Sequence, residues 1–291
     1  MKKLTERLLV FFIGLPLCLV IVVLLPQKNH LALNILVIVF CYLGAVELSN
    51  MLRNKNLSVS RLEAGILGAI IPVGMTLSVS FGVDPLVIPA LIVVSAGWLL
   101  VSGVFVTVKR EAADTKLANT LNHAAAGFAA LLYPSSFLSW LILINRLPHS
   151  TMLIIAFLCM VFANDSLAWT AGILFGRTNQ GIFAVSPNKS IAGFISGLAA
   201  SVGVGLALAS ALPHIVFNAA RFTPLVSGFV LGLFTGAAAI LGDLAESALK
   251  RGAGVKDSGT LIPGRGGILD SIDSLALSAP VFYVVYRFLF V

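Results

Sequence analysis

Five of the chain's 12 acidic residues, Asp243, Glu246, Asp257, Asp270 and Asp273, fall within one 31-residue window, and Lys250, Arg251, Lys256 and Arg265 share it. Asp243, Glu246, Ser247 and Lys250 are spaced i, i+3, i+4 and i+7, so a helix would carry them as one polar stripe. Asp270 and Asp273 are again i, i+3 and would share a face at the start of the last helix. Between the two faces runs a glycine-rich stretch, 252–267, that includes Gly266 and Gly267. Glycines let backbone N–H groups approach an anion closely, and the neighbouring Lys and Arg residues supply phosphate partners. Carboxylates on both flanks suit a hard divalent cation, since Mg2+ favours one or two carboxylates plus substrate phosphates. The pattern reads as a metal and nucleotide-phosphate site. The plainer alternative is a solvated loop with paired surface charges, but these acids begin inside an apolar helix.

A second group lies upstream. Asn164 and Asp165 interrupt an apolar stretch, and Ser186-Pro187-Asn188-Lys189-Ser190 then forms a turn leading into a helix. An ionisable side chain at mid-membrane costs about 2.5–3.5 kcal/mol on insertion scales, so Asp165 is a functional candidate, with a helix–helix hydrogen bond or a lysine partner as the alternative. The residue types leave Lys189 open between a phosphate ligand and a topology charge. The histidines at 30, 123, 149 and 214 are scattered near span ends and receive no catalytic role. Cys18, Cys41 and Cys159 lie in apolar stretches without metal or disulfide spacing and read as small buried hydrophobes.

The elements that must position these groups are membrane helices. The chain has 291 residues, 58% hydrophobic and 11% charged, with a mean hydropathy of +1.02. Soluble domains carry roughly 25% charged residues, so a water-soluble globule is excluded. The apolar stretches are far longer than β-barrel strands and do not alternate. The expected fold is therefore all-α and polytopic, with nine spans at about 8–25, 31–50, 63–82, 86–108, 124–145, 151–176, 191–212, 223–248 and 274–291. Residues 1–25 resemble a signal peptide at first, but without a small-residue cleavage site they are read as the first span. The net charge of +7 is spread between apolar blocks rather than gathered into a soluble patch, which argues against nucleic acid. With the N-terminus inside, 15 of the 19 basic residues fall on the cytoplasmic side, leaving Lys28, Arg146, Arg221 and Arg287 outside. That split predicts an N-in, C-out topology. It also divides the chain into five N-terminal spans, 1–150, and a catalytic region, 151–291, whose cytoplasmic loops are 177–190 and 249–273.

These motifs resemble the phosphatidate cytidylyltransferases (CDP-diacylglycerol synthases). The family's C-terminal signature appears here as Ser247-Ala248-Leu249-Lys250-Arg251, Lys256-Asp257-Ser258-Gly259 and Pro263-Gly264-Arg265-Gly266-Gly267-Ile268-Leu269-Asp270-Ser271-Ile272-Asp273. Gly242-Asp243-Leu244 with Glu246 precedes it. Asp165-Ser166, Gly172, Phe175-Gly176 and Ser186-Pro187 with Lys189, Ser190 and Gly193 match upstream. The motifs cover residues 164–273, while the first 150 residues resemble the family only as apolar spans. Arg265 stands where the family usually has histidine, Ser271 where it has arginine, Ser190 where it has threonine and Ala192 where it has Glu or Gln.

The resemblance implies a reaction of CTP with phosphatidic acid, dependent on Mg2+, at the cytoplasmic face of a membrane, with a second cation and a homodimer both compatible. It implies Asp243 and Asp270 as principal metal ligands, supported by Glu246 and Asp273. Lys250, Arg251, Lys256 and Arg265 would hold the triphosphate and the lipid phosphate, and Asp165 and Lys189 would line the lipid-phosphate side. Ser186, Ser247, Gly266 and Gly267 complete the implied substrate contacts. The rivals are a CTP-dependent polyprenol or lipid kinase, which would release CDP, and a secondary transporter of an anionic solute with Asp165 and Asp243 as coupling sites. The internal repeats common in transporters are not visible in this sequence.

Overall fold

The computed structural model describes residues 14, 16–57, 59–105, 113–217, 220–262, 264 and 266–290. The expected first span lies partly outside this set, at 8–13 and 15, and 16–24 are helical. Arg265 also lies outside the described residues. The helices are α1 (Gln27–Arg53), α2 (Arg61–Phe81), α3 (Val87–Phe105), α4 (Ala113–Ala130), α5 (Trp140–Ile144), α6 (Ser150–Phe175), α7 (Ile191–Ala211), α8 (Pro213–Val216), α9 (Pro224–Gly252) and α10 (Leu269–Phe290). Among the described residues, seven helical segments are long and apolar enough to cross a membrane. They correspond to expected spans two, three and five to nine, and the chain is an all-α polytopic membrane protein. The expected fourth span is the shorter apolar helix Val87–Ser102 within α3.

Several boundaries move for identifiable reasons. The regular run of α1 starts after Lys28, Asn29 and His30, whose φ values are positive, in keeping with the expected start at 31. The fifth span is not one straight helix. Leu131–Ser136 forms a wider turn containing Pro134, which has no N–H to continue the ladder. Asn164 and Asp165 do not break α6, which runs unbroken through both. The last helix begins at Leu269 rather than 274, with Asp270 in its first turn, where a negative charge complements the helix dipole. The connection expected at 249–273 is thus only 253–268.

The chain divides into two compact units, one drawn from 1–142 and 252–271, the other from 143–251 and 272–291. In the first unit, Ser60 caps α2 by accepting from the Glu63 N–H at 3.1 Å. Gly68 lets α2 lie against α1, because a Cβ there would sit 2.7 Å from the Cys41 carbonyl oxygen. In the second unit, α7 and α9 pack through Gly205, Gly228 and Gly232, where an added Cβ would run into the opposing backbone. Asn164, buried on α6, donates to Ser201 Oγ at 3.3 Å and to the Gly236 carbonyl at 3.2 Å. Small residues for close approach and a polar side chain for cross-helix bonding are the expected materials where lipid removes the hydrophobic drive between helices. Leu241, Phe234, Val284 and Phe288 stay exposed, as lipid-facing positions should.

Candidate active site

Within the second unit, three helices and one turn bring together the upstream motif and the acidic stripe. Ser190 is buried and caps α7, accepting from the Gly193 N–H at 3.1 Å. Gly176, at the end of α6, makes room for it, since a Cβ there would lie 2.6 Å from Ser190 Oγ. The Lys189 N–H donates to the Ser186 carbonyl at 3.1 Å, closing the Ser-Pro turn. That turn delivers the Lys189 ammonium to Asp243 on α9 at 2.5 Å. One turn along α9, Glu246 is fully buried and pairs with Lys250. Gly242 permits α10 to come close, because its Cβ would be 2.5 Å from the Asp273 carbonyl oxygen.

Asp273, also buried, accepts from the Ser274 N–H at 2.6 Å and lies within electrostatic reach of Asp243, Asp165 and Glu246. Ser274 Oγ donates to Asp165 at 3.4 Å. Four carboxylates, of which Glu246 and Asp273 are buried, are therefore neighbours of two lysines. Like charges there repel strongly, and a cation relieves the repulsion. The donors are all hard carboxylate oxygens, which fits Mg2+. Among the described residues, no three His, Cys, Asp or Glu side chains are gathered tightly enough to cage a metal ion by themselves.

The first unit holds the glycine-rich loop. Asp270 Oδ2 accepts from Ser258 N–H, Ser258 Oγ–H and Gly267 N–H, each at 2.8 Å. The Gly266 N–H donates to the Ile262 carbonyl at 3.0 Å. The amides of Gly266 and Gly267 are thus both engaged inside the loop, and what these glycines visibly supply is space. Gly266 has φ +115°, and a Cβ on it would meet Asp270 Oδ2 at 2.5 Å. Lys256, Asp257 and Arg251 are exposed, Ser186 is half-buried and Ser247 is buried.

One residue of this loop environment escaped the sequence reading. Glu47, buried near the end of α1, accepts from Ser258 Oγ at 3.0 Å, Ile268 N–H at 3.0 Å and Leu269 N–H at 2.9 Å. The signal existed: Glu47 is an acid within an apolar span, the same argument that singled out Asp165.

The chain matches the profile described as the cytidylyltransferase family over residues 5–289. It is 42% identical over 130 residues to a phosphatidate cytidylyltransferase of Synechocystis sp., covering 45% of this chain and 41% of that protein. It is 41% identical over 141 residues to a phosphatidate cytidylyltransferase of Haemophilus influenzae, covering 48% and 47%. A third, from Thermotoga maritima, is 38% identical over 169 residues, covering 57% and 60%. The chain thus spans about half the length of the curated relatives it matches.

Proposed function

The chain belongs to the cytidylyltransferase family, and from that membership we propose that it is a phosphatidate cytidylyltransferase, converting CTP and phosphatidic acid to CDP-diacylglycerol and pyrophosphate. The observation that carries the reading is the gathering of Asp165, Asp243, Glu246 and Asp273 beside Lys189 and Lys250. An oxygen of the lipid phosphate attacks the α-phosphorus of CTP, the bond from that phosphorus to the bridging β-oxygen breaks, and pyrophosphate leaves. The phosphate monoester is already anionic at neutral pH, so no activated serine or histidine is required. The difficulty is bringing two anions together, which positioning and charge neutralisation address.

Asp243, supported by Glu246 and Asp273 in the same unit, would hold Mg2+, and the family motif assigns Asp270 to the cation as well. Bound there, the cation would neutralise charge on the triphosphate and the leaving group, and a second cation is compatible with the number of carboxylates. Lys189 and Lys250 now pair with Asp243 and Glu246. On substrate binding they turn toward phosphate oxygens, joined by the exposed Arg251 and Lys256 and by Arg265. Arginine at 265 keeps a forked donor and a permanent charge, so its role is to bind rather than to transfer protons. Asp165 and Ser186 border the lipid-phosphate side with Lys189, Ser247 lies on the acidic stripe, and Gly266 and Gly267 keep the loop closed. The uneven distribution of basic residues supports an N-in, C-out topology with the site facing the cytoplasm, while a bacterial cytoplasmic membrane and a homodimer are what the family resemblance implies.

The test is to incubate the purified protein in detergent with CTP, phosphatidic acid and Mg2+ and score both products. The proposal expects liponucleotide and pyrophosphate in equal amounts, both abolished by EDTA. Release of CDP with a newly phosphorylated lipid would identify a kinase instead, and absence of either product from folded protein would count against both.

A further inference from the structure

We propose that Glu47 is a positioning residue for the reaction: it clamps the glycine-rich loop and the first turn of α10 in their working geometry. The proposal rests on the cytidylyltransferase reading for its catalytic consequence. Its structural part stands on the first unit alone.

Glu47 reaches donors 211 to 222 positions away in sequence. Its Oε2 accepts from Ser258 Oγ and Leu269 N–H, and its Oε1 from Ile268 N–H. The amides of Ile268 and Leu269 open α10 and have no partners in a preceding turn, so a buried carboxylate there satisfies them and complements the helix dipole. Ser258 is the link to the motif, because its hydroxyl also meets Asp270 Oδ2. Glu47 and Asp270 thus grip the same serine from two elements.

Two glycines of the motif are explained by the clamp. A Cβ on Gly259 would lie 2.5 Å from Glu47 Oε1, and one on Gly267 would collide with Glu47 Oε2 and Ser258 Oγ. Farther along α1, Asn54 Nδ2 donates to the Ala253 carbonyl at 3.4 Å, so the last two turns of α1 hold the loop at its entrance and its exit. None of the three groups that donate to Glu47 is assigned to substrate. Glu47 fixes Asp270, which is assigned to the cation, and the direction in which α10 leaves the loop.

The test uses the full chain in detergent as wild type, Glu47→Gln, Glu47→Asp and Glu63→Gln. The last is a control in the same unit, whose carboxylate faces Trp98 and His123 instead. Glutamine is nearly isosteric but turns an amide donor toward groups that are themselves donors. Hydrogen exchange at 256–270 and steady-state turnover are both read. In Glu47→Gln we expect loop amides to exchange about tenfold faster or more, with peptides of α6 and α7 unchanged. Turnover number should fall about tenfold to a hundredfold, with KM for CTP and for phosphatidic acid within about threefold, since displacement by about 1 Å has that effect on a positioned group. Glu47→Asp should recover part of the turnover, and Glu63→Gln should leave the loop's exchange at the wild-type level.

Wild-type exchange at 258–269 in Glu47→Gln would overturn the proposal. So would faster exchange spread evenly over both units, which would make Glu47 a general stabiliser. If even the wild type forms no liponucleotide, the proposed reaction fails. Loop-restricted exchange in Glu47→Gln would then still support the clamp.

Discussion

Gly203 and Gly205 lie two residues apart in α7 and should respond to alanine with opposite sign. Gly203 has nothing within 4 Å of its would-be Cβ, whereas a Cβ at Gly205 would strike the Gly228 carbonyl oxygen of α9, with the Gly232 amide nitrogen behind it at 3.3 Å. The obstruction is backbone, so no rotamer change relieves it and the helices must part. Overpacking of this kind costs about 1–3 kcal/mol. Replacing a mid-helix glycine with alanine returns up to about 1 kcal/mol at either position. The propensity gain cancels between the two variants, and their difference isolates the close approach at about 1–3 kcal/mol. Gly203→Ala should therefore melt at or slightly above the wild type in detergent, and Gly205→Ala below it. Turnover should follow, because α9 carries Asp243 and Glu246 and its displacement moves them from Lys189 and Asp165. Equal melting of both variants, with wild-type turnover, would refute the packing argument.

Further outcomes follow from the site. Lys189→Met removes the partner of Asp243 from a partly exposed pair, so stability should change by no more than about 1 kcal/mol, while turnover drops at least about tenfold in the product assay. Asp243→Asn and Asp270→Asn should each abolish turnover while the protein still inserts and purifies as folded material; activity retained in both would sink the cation assignment. Single cysteines introduced near Arg53 and near Arg146 should label from opposite sides of the membrane, the former only from the cytoplasm. Labelling of both from one side would overturn the topology.

Much of the fold was legible because span length and apolar composition are local properties. The stretch at 191–212 and α7 (Ile191–Ala211) nearly coincide, since Ser190 is a readable cap. Charged residues misled the boundary at the other end. Hydropathy alone starts the last span at 274, whereas the i, i+3 spacing of Asp270 and Asp273 already puts both at the start of the helix, where an acid in the first turn is favoured. Cost and spacing single out Asp165, Asp243, Glu246, Lys250 and Asp273, the family resemblance adds Lys189, and the second unit brings them together. Their pairing was not readable: nothing local says that Lys189 meets Asp243. Asn164, which a hydropathy scan treats as an interruption, instead ties three helices together. Glu47 was missed because its meaning depends on partners more than 200 residues away.

The most direct test of the central claim is to follow label from CTP. With phosphatidic acid and Mg2+ present, CTP labelled at the α-phosphorus should pass its label into the lipid fraction, and CTP labelled at the γ-phosphorus should release it as pyrophosphate. Label from the γ position appearing in lipid, with none from the α position, would contradict cytidylyl transfer and assign the protein to phosphoryl transfer.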